Sequence, residues 1–392
     1  MHLVIAAVSA ATSPSGVCRH AANIARGVLA FSSVRKVTLL TGEWQAGYFR
    51  DAFHLDVARL EILPIAIANR SVSRNLWYLR TLPSLARAQD ADVVHLAYPM
   101  PLRRSAYTVP VVVSLHDLYP FDIPRNFGAH RAWLNRAVLR HCLKNADAIT
   151  CVSEPTRTRL HELFPALRLE KTSVVPNSIG LSREKGGTVF PQAIQGNPFL
   201  LCVAQHRANK NLGLLLRSFR LALDRNIVPP ETKLVIVGNE GPETTRLHHI
   251  IAERSLHDRV LFLRGISDTL LSALYAQCEL VIAPSLLEGF GLPVAEALAA
   301  GCRVACSDIP TFRAAAAPSC VLFHPADGTG ESLLTALRNA LHLPRGAASS
   351  PPGLQPQQAA AMYLALYSKL ALRSPIPRFR PSQADFSAPG DL

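Results

Sequence analysis

Ser285-Leu286-Leu287-Glu288-Gly289-Phe290-Gly291-Leu292-Pro293-Val294-Ala295-Glu296-Ala297-Leu298-Ala299-Ala300-Gly301 follows a short apolar run, Leu280 to Ala283, that reads as a buried parallel strand. Pro293 suits the first position of a helix and Gly301 the residue just past its end. Glu288 then belongs to the loop and Glu296 to the first helical turn, with seven residues between them. Gly289 and Gly291 lack a Cβ and let the backbone approach a ligand closely. Open N–H groups around Phe290, Gly291 and Leu292 favour anionic or hydroxyl-rich ligands at a helix start. Two acids and bare amides at the carboxyl end of a strand make a site for sugars and phosphates. The competing reading is a surface loop whose Glu296 complements the helix dipole.

This run, with EGFGLP inside an E-x7-E frame and a strand, loop and helix around it, resembles the signature of retaining glycosyltransferases of family 4. The resemblance implies the GT-B architecture, two Rossmann-like β/α/β domains facing a central cleft. It implies that Glu288 contacts the donor sugar, that Glu296 holds the ribose, and that amides of Gly289, Phe290, Gly291 and Leu292 touch sugar hydroxyls and phosphate.

Working outward, Phe199–Val203 reads as a strand leading into Ala204-Gln205-His206-Arg207-Ala208-Asn209-Lys210-Asn211-Leu212. Arg207 and Lys210 would flank a pocket at a helix start, where two cations neutralise a diphosphate leaving group. Lys210 and Asn211 match the family's basic motif, while Gln205 stands where many members carry Arg. Gly238-Asn239-Glu240-Gly241-Pro242 resembles the family's V-G-x-G-P turn with one residue more. The Gly265-Ile266 pair corresponds to backbone that reads the nucleobase, and Asp268 is expected to cap the helix that follows.

The first half repeats the alternation. Leu3–Val8 is a strand, Ser9 to Gly16 a small-residue loop, and Val17–Leu29 a helix, the arrangement by which α/β proteins present amides to phosphate. The family usually has Gly-Gly here; Ser15-Gly16 stands in its place, so Gly16 alone carries over as a donor contact. Val111–Leu115 runs into His116-Asp117-Leu118-Tyr119-Pro120, on the ligand edge of such a sheet. That segment resembles the HDL-x-P run of mannosyl- and rhamnosyltransferase-like members, which makes His116 a donor-sugar contact near the reacting carbon; Asp117 is either its partner or a cap of the loop. Ser153 reads as an N-cap. Leu76-Trp77-Tyr78-Leu79 among Arg70, Arg74, Arg80 and Arg87 is either a membrane-facing patch or a helix packed with its charges in water, and packing is favoured.

The domain plan is therefore 1–180, an acceptor-side Rossmann-like domain; 181–197, a linker; 198–345, the nucleotide-sugar domain; 357–372, a helix returning to the first domain; and 373–392, a disordered tail rich in Pro and Ser. With 392 residues the chain can build two cores, and no apolar run approaches the ~18 residues of a membrane span. The start reads as a first strand, not a signal peptide. Eight cysteines without C-x-x-C pairs, Cys302 and Cys306 on a small-residue strand, fit inert buried thiols in a reducing cytoplasm.

Net charge is +13, and residues 1–185 hold 23 Lys and Arg against 13 Asp and Glu, a balance of +10. A cationic first half implies an acidic partner, such as a polyprenyl-diphosphate-linked glycan acceptor at an anionic membrane surface. Nucleic acid is disfavoured, since the arginines lack interleaved aromatics apart from Trp77 and Tyr78. A dinucleotide oxidoreductase is disfavoured by the missing G-x-G-x-x-G after the first strand. The expected activity is metal-independent transfer of a mannose- or rhamnose-type hexose with retention, from a nucleotide-diphosphate sugar and with no cofactor, in surface polysaccharide assembly. The one Asp-x-Asp, Asp90-Ala91-Asp92, precedes its strand, away from the ligand edge. The rival readings are a nucleotide-sugar epimerase of the same fold and a non-catalytic nucleotide-sugar-binding protein.

Overall fold

Runs of β-branched residues buried on both sides, each followed by a helical period, require parallel strands with helices on both faces. The computed structural model describes residues 1–53, 55, 57–179, 190–316, 319–346 and 355–372, and it divides into two compact units. The first unit carries β1 (His2–Ala6), β2 (Lys36–Gly42), β3 (Leu60–Ile65), β4 (Val93–Leu96), β5 (Val111–Leu115), β6 (Ala148–Cys151) and β7 (Thr172–Val174). These lie in the order β3-β2-β1-β4-β5-β6-β7 with every pairing parallel. The second unit carries β8 (Phe199–Val203), β9 (Lys233–Val237), β10 (Val260–Leu263), β11 (Leu280–Ala283), β12 (Val304–Ser307) and β13 (Val321–Phe323), ordered β10-β9-β8-β11-β12-β13 and again parallel. Both are doubly wound Rossmann-like sheets.

In such a sheet ligands bind outside the carboxyl ends of the strands, where the strand order reverses. That point falls between β1 and β4 in the first unit and between β8 and β11 in the second. The topology thus brings the loop after Phe199–Val203 beside the loop after Leu280–Ala283, with Leu280 paired to Leu200 and Val281 to Leu201.

Each sheet has an apolar core on both faces. In the first unit, the helices Gly16–Val28 and Pro356–Leu372 pack together on one face, where Ala359, Ala360, Tyr363, Leu364 and Tyr367 are buried. Burial of Leu364 alone stabilises by roughly 2 kcal/mol. The other face buries Trp77 and Tyr78, and the Tyr78 hydroxyl donates to Val8 O at 3.1 Å. The Arg-rich segment is therefore a packed one with its aromatics turned inward, as expected. No helix among the described residues is long and apolar enough to cross a membrane.

Several boundaries differ from the sequence reading. The first strand ends at Ala6, and the helix after it begins at Gly16 because the Ser15 hydroxyl accepts from Cys18 N at 3.4 Å. Asp122–Ala129 groups with the second unit instead of continuing the first. Residues 181–189 of the linker and the tail 373–392 lie outside the described residues. Residues 190–197 pack onto the second unit, with Ile194 buried among its core residues. Ser267, not Asp268, caps its helix, accepting from Leu270 N at 3.1 Å.

Candidate active site

Lys210 leaves a one-turn 3-10 helix, Ala208–Lys210, after β8, and Asn211 follows in the left-handed region with φ of 51°. That turn is tied to the loop after β11 from two directions. Leu286 N donates to Asn209 O at 2.8 Å, and the Asn209 amide, fully buried, donates to Leu287 O at 3.4 Å. Asn126 in turn donates to Asn209 Oδ1 at 3.1 Å. With the two loops fixed, Lys210 Nζ reaches Glu288 Oε1 at 2.5 Å.

Glu288 is held by more than its ion pair. The Ser285 hydroxyl donates to the same Oε1 at 2.7 Å, and the Thr311 hydroxyl donates to Glu288 O at 2.7 Å. The side chains of Lys210 and Glu288 are 16% and 9% exposed, enough shielding for charge to act strongly. Gly291, with φ of 85°, sits where a Cβ would meet the Phe312 ring at 2.5 Å, so both conformation and space demand glycine. The same close fit operates at Gly238, where a Cβ would fall 2.1 Å from Ala204 O, so the turn after β9 can lie against the loop after β8.

The helix after this loop is Leu292–Ala299, with Pro293 at its second position. Glu296 therefore lies beyond the first turn, a correction to its expected place. It is 8% exposed, and Tyr275 OH donates to its Oε2 at 3.1 Å. A buried acid held by a buried tyrosine is not the solvated dipole complement of the competing reading. Phe290 is buried and Leu292 half-buried at the same loop, while Ile266 is half-buried at the carboxyl end of the edge strand β10. Arg207, on the loop that carries Lys210, lines a cavity with Arg125, Arg217 and Arg246.

The first unit holds the other two candidates. His116 Nε2 lies 2.8 Å from Ala97 O; a carbonyl only accepts, so Nε2 carries the proton and Nδ1 a free electron pair. Burial lowers the His116 pKa and keeps the ring neutral. The ring of His20 meets it edge to face with centroids 4.6 Å apart. His20 is fixed by Asn177 Oδ1 at 2.7 Å and Ser114 Oγ at 2.8 Å; His95 reaches the same hydroxyl at 2.9 Å and Tyr367 OH at 2.6 Å. Asp117 Oδ1 accepts from Tyr119 N at 3.1 Å, which makes it a cap of the loop. A side chain at Gly16 would meet open space. Asp90 and Asp92 precede β4, and Asp92 accepts from His2 N at 2.7 Å, at the amino edge of the sheet.

Structure thus joins Lys210 to Glu288 and places Gly289 to Leu292, Glu296, Ile266 and Arg207 in the same unit, while His116 and Gly16 belong to the first. Sequence reasoning missed Ser285, Asn209 and Tyr275 as positioning residues. Ser285 had a local signal, a hydroxyl three residues before the acid, whereas Tyr275 comes from another helix and had none.

Residues 14–183 match the family described as Glycosyltransferase Family 4, and residues 189–347 match Glycosyl transferases group 1. The O-antigen chain mannosyltransferase RfbU of Salmonella typhimurium is 26% identical over 72% of this chain and 76% of its own length. The GDP-mannose:cellobiosyl-diphosphopolyprenol alpha-mannosyltransferase of Xanthomonas oryzae pv. oryzae is 30% identical, over 59% of this chain and 60% of its own length. Among solved structures, Anabaena HepE in complex with UDP and glucose superposes with a TM-score of 0.67 at 17% identity, covering 94% of this chain and 99% of that one. WaaG, a glycosyltransferase involved in lipopolysaccharide biosynthesis, superposes with a TM-score of 0.64 at 18% identity, covering 93% and 96%. These two superpositions speak for the GT-B fold alone. Two parallel Rossmann-like units, the loop pairing of Lys210 with Glu288, and matches that run with little break from residue 14 to 347 lead to one statement: the chain belongs to the glycosyltransferases of family 4.

Proposed function

We propose that this protein transfers a mannose-type hexose, with retention, from a nucleotide-diphosphate sugar to a glycan or polyprenyl-linked acceptor during surface polysaccharide assembly. The observation that carries the reading is the Lys210–Glu288 pair, set at the carboxyl edge where the strand order reverses. Relatives named as mannosyltransferases support the sugar, and the diphosphopolyprenol in the name of the Xanthomonas enzyme supports the acceptor class. The +10 balance of residues 1–185 supports an anionic partner, with the protein working at the cytoplasmic face of a membrane.

In this reading the bond between the sugar's anomeric carbon and the β-phosphate oxygen breaks, and the acceptor oxygen bonds the same face of that carbon. The acceptor's proton passes to the departing phosphate. The Lys210 ammonium has three donors; Glu288 occupies one, and the others are available to phosphate oxygens as charge develops there. Arg207 is the second cation. Glu288 and the Nδ1 of His116 accept from sugar hydroxyls, the amides of Gly289 to Leu292 and Gly16 face sugar and phosphate, Ile266 lies by the base, and Glu296 accepts from the ribose. Side-chain cations meet the leaving charge, so no metal is assigned a role.

The test is a screen of GDP-mannose, GDP-fucose, UDP-glucose, UDP-galactose and dTDP-rhamnose with lipid-linked and free glycan acceptors, with and without EDTA. Expected is turnover of GDP-mannose, an α-linked product by NMR and no loss in EDTA. Turnover of none of these donors, or a product of inverted configuration, sinks the reading. An isomerised nucleotide sugar formed without acceptor replaces it with an epimerase.

A further inference from the structure

Ser114 on β5 and His116 just past its end are two positions apart, the spacing that puts side chains on one face of a sheet. One residue of the helix Gly16–Val28 meets both. His20 Nε2 lies 2.8 Å from Ser114 Oγ, and the His20 ring stands edge to face against His116 with centroids 4.6 Å apart. His116 itself makes a single side-chain hydrogen bond among the described residues, from Nε2 to Ala97 O. One such bond fixes one ring atom and leaves the ring free to swing about it. The flat contact with His20 removes that freedom.

What fixes His20 can be followed proton by proton. Tyr367, on the helix Pro356–Leu372, is fully buried, and its hydroxyl has one partner among the described residues, His95 Nδ1 at 2.6 Å. The phenol keeps its proton and therefore donates it. His95, a neutral ring, then carries its own proton on Nε2 and donates to Ser114 Oγ at 2.9 Å. The Thr150 hydroxyl, 3.0 Å from Ser114 Oγ, fills the other lone pair of that oxygen. Ser114 spends its proton on His20 Nε2, and His20 Nδ1 donates to Asn177 Oδ1 at 2.7 Å. Tyr363 OH closes over the junction, 3.4 Å from both Ser114 Oγ and His20 Nε2. Run the other way, the chain would leave the Tyr367 proton buried without an acceptor, which is costly.

We propose that His20 is a positioning residue for His116, its ring set by the hydrogen-bond chain Tyr367–His95–Ser114 and held edge to face against the His116 imidazole. Both nitrogens of His20 are already engaged, so any effect it has on a ligand passes through His116. A ring nitrogen accepts well only along its in-plane lone pair, which makes the orientation of the His116 ring matter. All of these residues belong to the first unit. The bearing on turnover rests on the transferase reading, in which His116 Nδ1 accepts from a sugar hydroxyl; the tautomers and the fixed ring do not.

Imidazole ¹⁵N spectra of the full chain at neutral pH, each ring assigned by its own substitution, read the chain directly. Expected are a proton on Nδ1 of His20 and on Nε2 of His95 and His116; the opposite tautomer at His20 overturns the proposal. The Nε2 proton of His116 should be sharp in the wild type and lost to exchange with water in His20→Ala. An equally sharp signal in both overturns the positioning, whatever becomes of the transferase reading. Where a donor is turned over, His20→Ala should lower kcat/KM about tenfold and leave the affinity for free GDP or UDP within about twofold, and in a His116→Ala background it should cost less than about twofold more. The same loss in both backgrounds, or nucleotide affinity falling with turnover, assigns His20 a general structural role and overturns the proposal. Tyr367→Phe, which keeps the ring and deletes only the first donor, keeps the test decisive if His20→Ala folds poorly: a loss of about threefold that vanishes in the His116→Ala background is expected, and one that persists there is contrary. If the wild type turns over no donor, the transferase reading fails by itself and the spectra decide this inference.

Discussion

Lys210 Nζ and Glu288 Oε1 stand 2.5 Å apart although 78 positions separate them in sequence. Each comes from a loop after one of two adjacent strands, β8 and β11, so the sheet topology makes the contact and neither loop could make it alone. The Asn209 carbonyl and side-chain amide tie the same two loops together beside that pair.

Removing the ammonium should be costly to catalysis and moderate in stability. Under the proposed reading, Lys210→Ala takes a preorganised cation from the leaving diphosphate, and turnover should fall about 10²- to 10³-fold. Glu288 keeps the Ser285 hydroxyl, so unfolding should lose only about 1–3 kcal/mol. Steady-state kinetics and urea unfolding check both numbers; unchanged turnover removes Lys210 from the chemistry.

Tyr275 offers a test of Glu296 that leaves the acid in place. Tyr275→Phe deletes the hydroxyl that donates to Oε2 at 3.1 Å and keeps the buried ring. The carboxylate then loses one fixed donor and its orientation. Nucleotide affinity, measured by titration with GDP and UDP, should weaken severalfold while kcat changes less. Equal affinity in the variant and the wild type argues that Glu296 does not meet the nucleotide.

Two glycines of the candidate site loops should respond very unequally to alanine. Gly291→Ala places a Cβ at 2.5 Å from a buried phenylalanine ring and in a left-handed backbone, and should destabilise by about 2–4 kcal/mol. Gly16→Ala meets open space and should shift stability by less than about 1 kcal/mol. If the Gly16 loop touches donor phosphate, turnover in that variant still falls about tenfold. Kinetics beside thermal melting separate the two effects.

What the sequence disclosed follows the range of the forces involved. The strands could be read because burial on both faces writes an unbroken apolar run, and the loop after β11 because its glycines answer local demands. Lys210 and Glu288 could be placed on one edge by the same logic. Glu296 was put one position too early in its helix, within the first turn instead of just past it, since Pro293 tolerates the second helical position as readily as the first. Tyr275, Asn209 and the arginine cavity escaped notice because their partners lie far along the chain. Cys18, capped by Ser15, shows the same limit at short range, where a small-residue loop hid the real helix start.

The histidines of the first unit make the last prediction. His20, His95 and His116 all have pKa values lowered chiefly by burial, His95 to about 3. Unfolded, each titrates near 6.5. A folded value below the unfolded one means that the native state refuses protons the unfolded chain accepts. Their contribution is therefore fully present above about pH 6.5 and is lost as pH falls from there towards the folded values, at up to ~1.4 kcal/mol per pH unit for each histidine. The Tyr367 and Ser114 bonds to His95 tie this loss to the helix Pro356–Leu372. Urea unfolding between pH 7.5 and 4.5 should show the midpoint falling steeply below 6.5. His95→Gln, which keeps a polar side chain but does not titrate, should flatten that slope by about one proton. A slope unchanged in the variant would show that His95 is already protonated in the fold, and the buried network would need the opposite assignment of its donors.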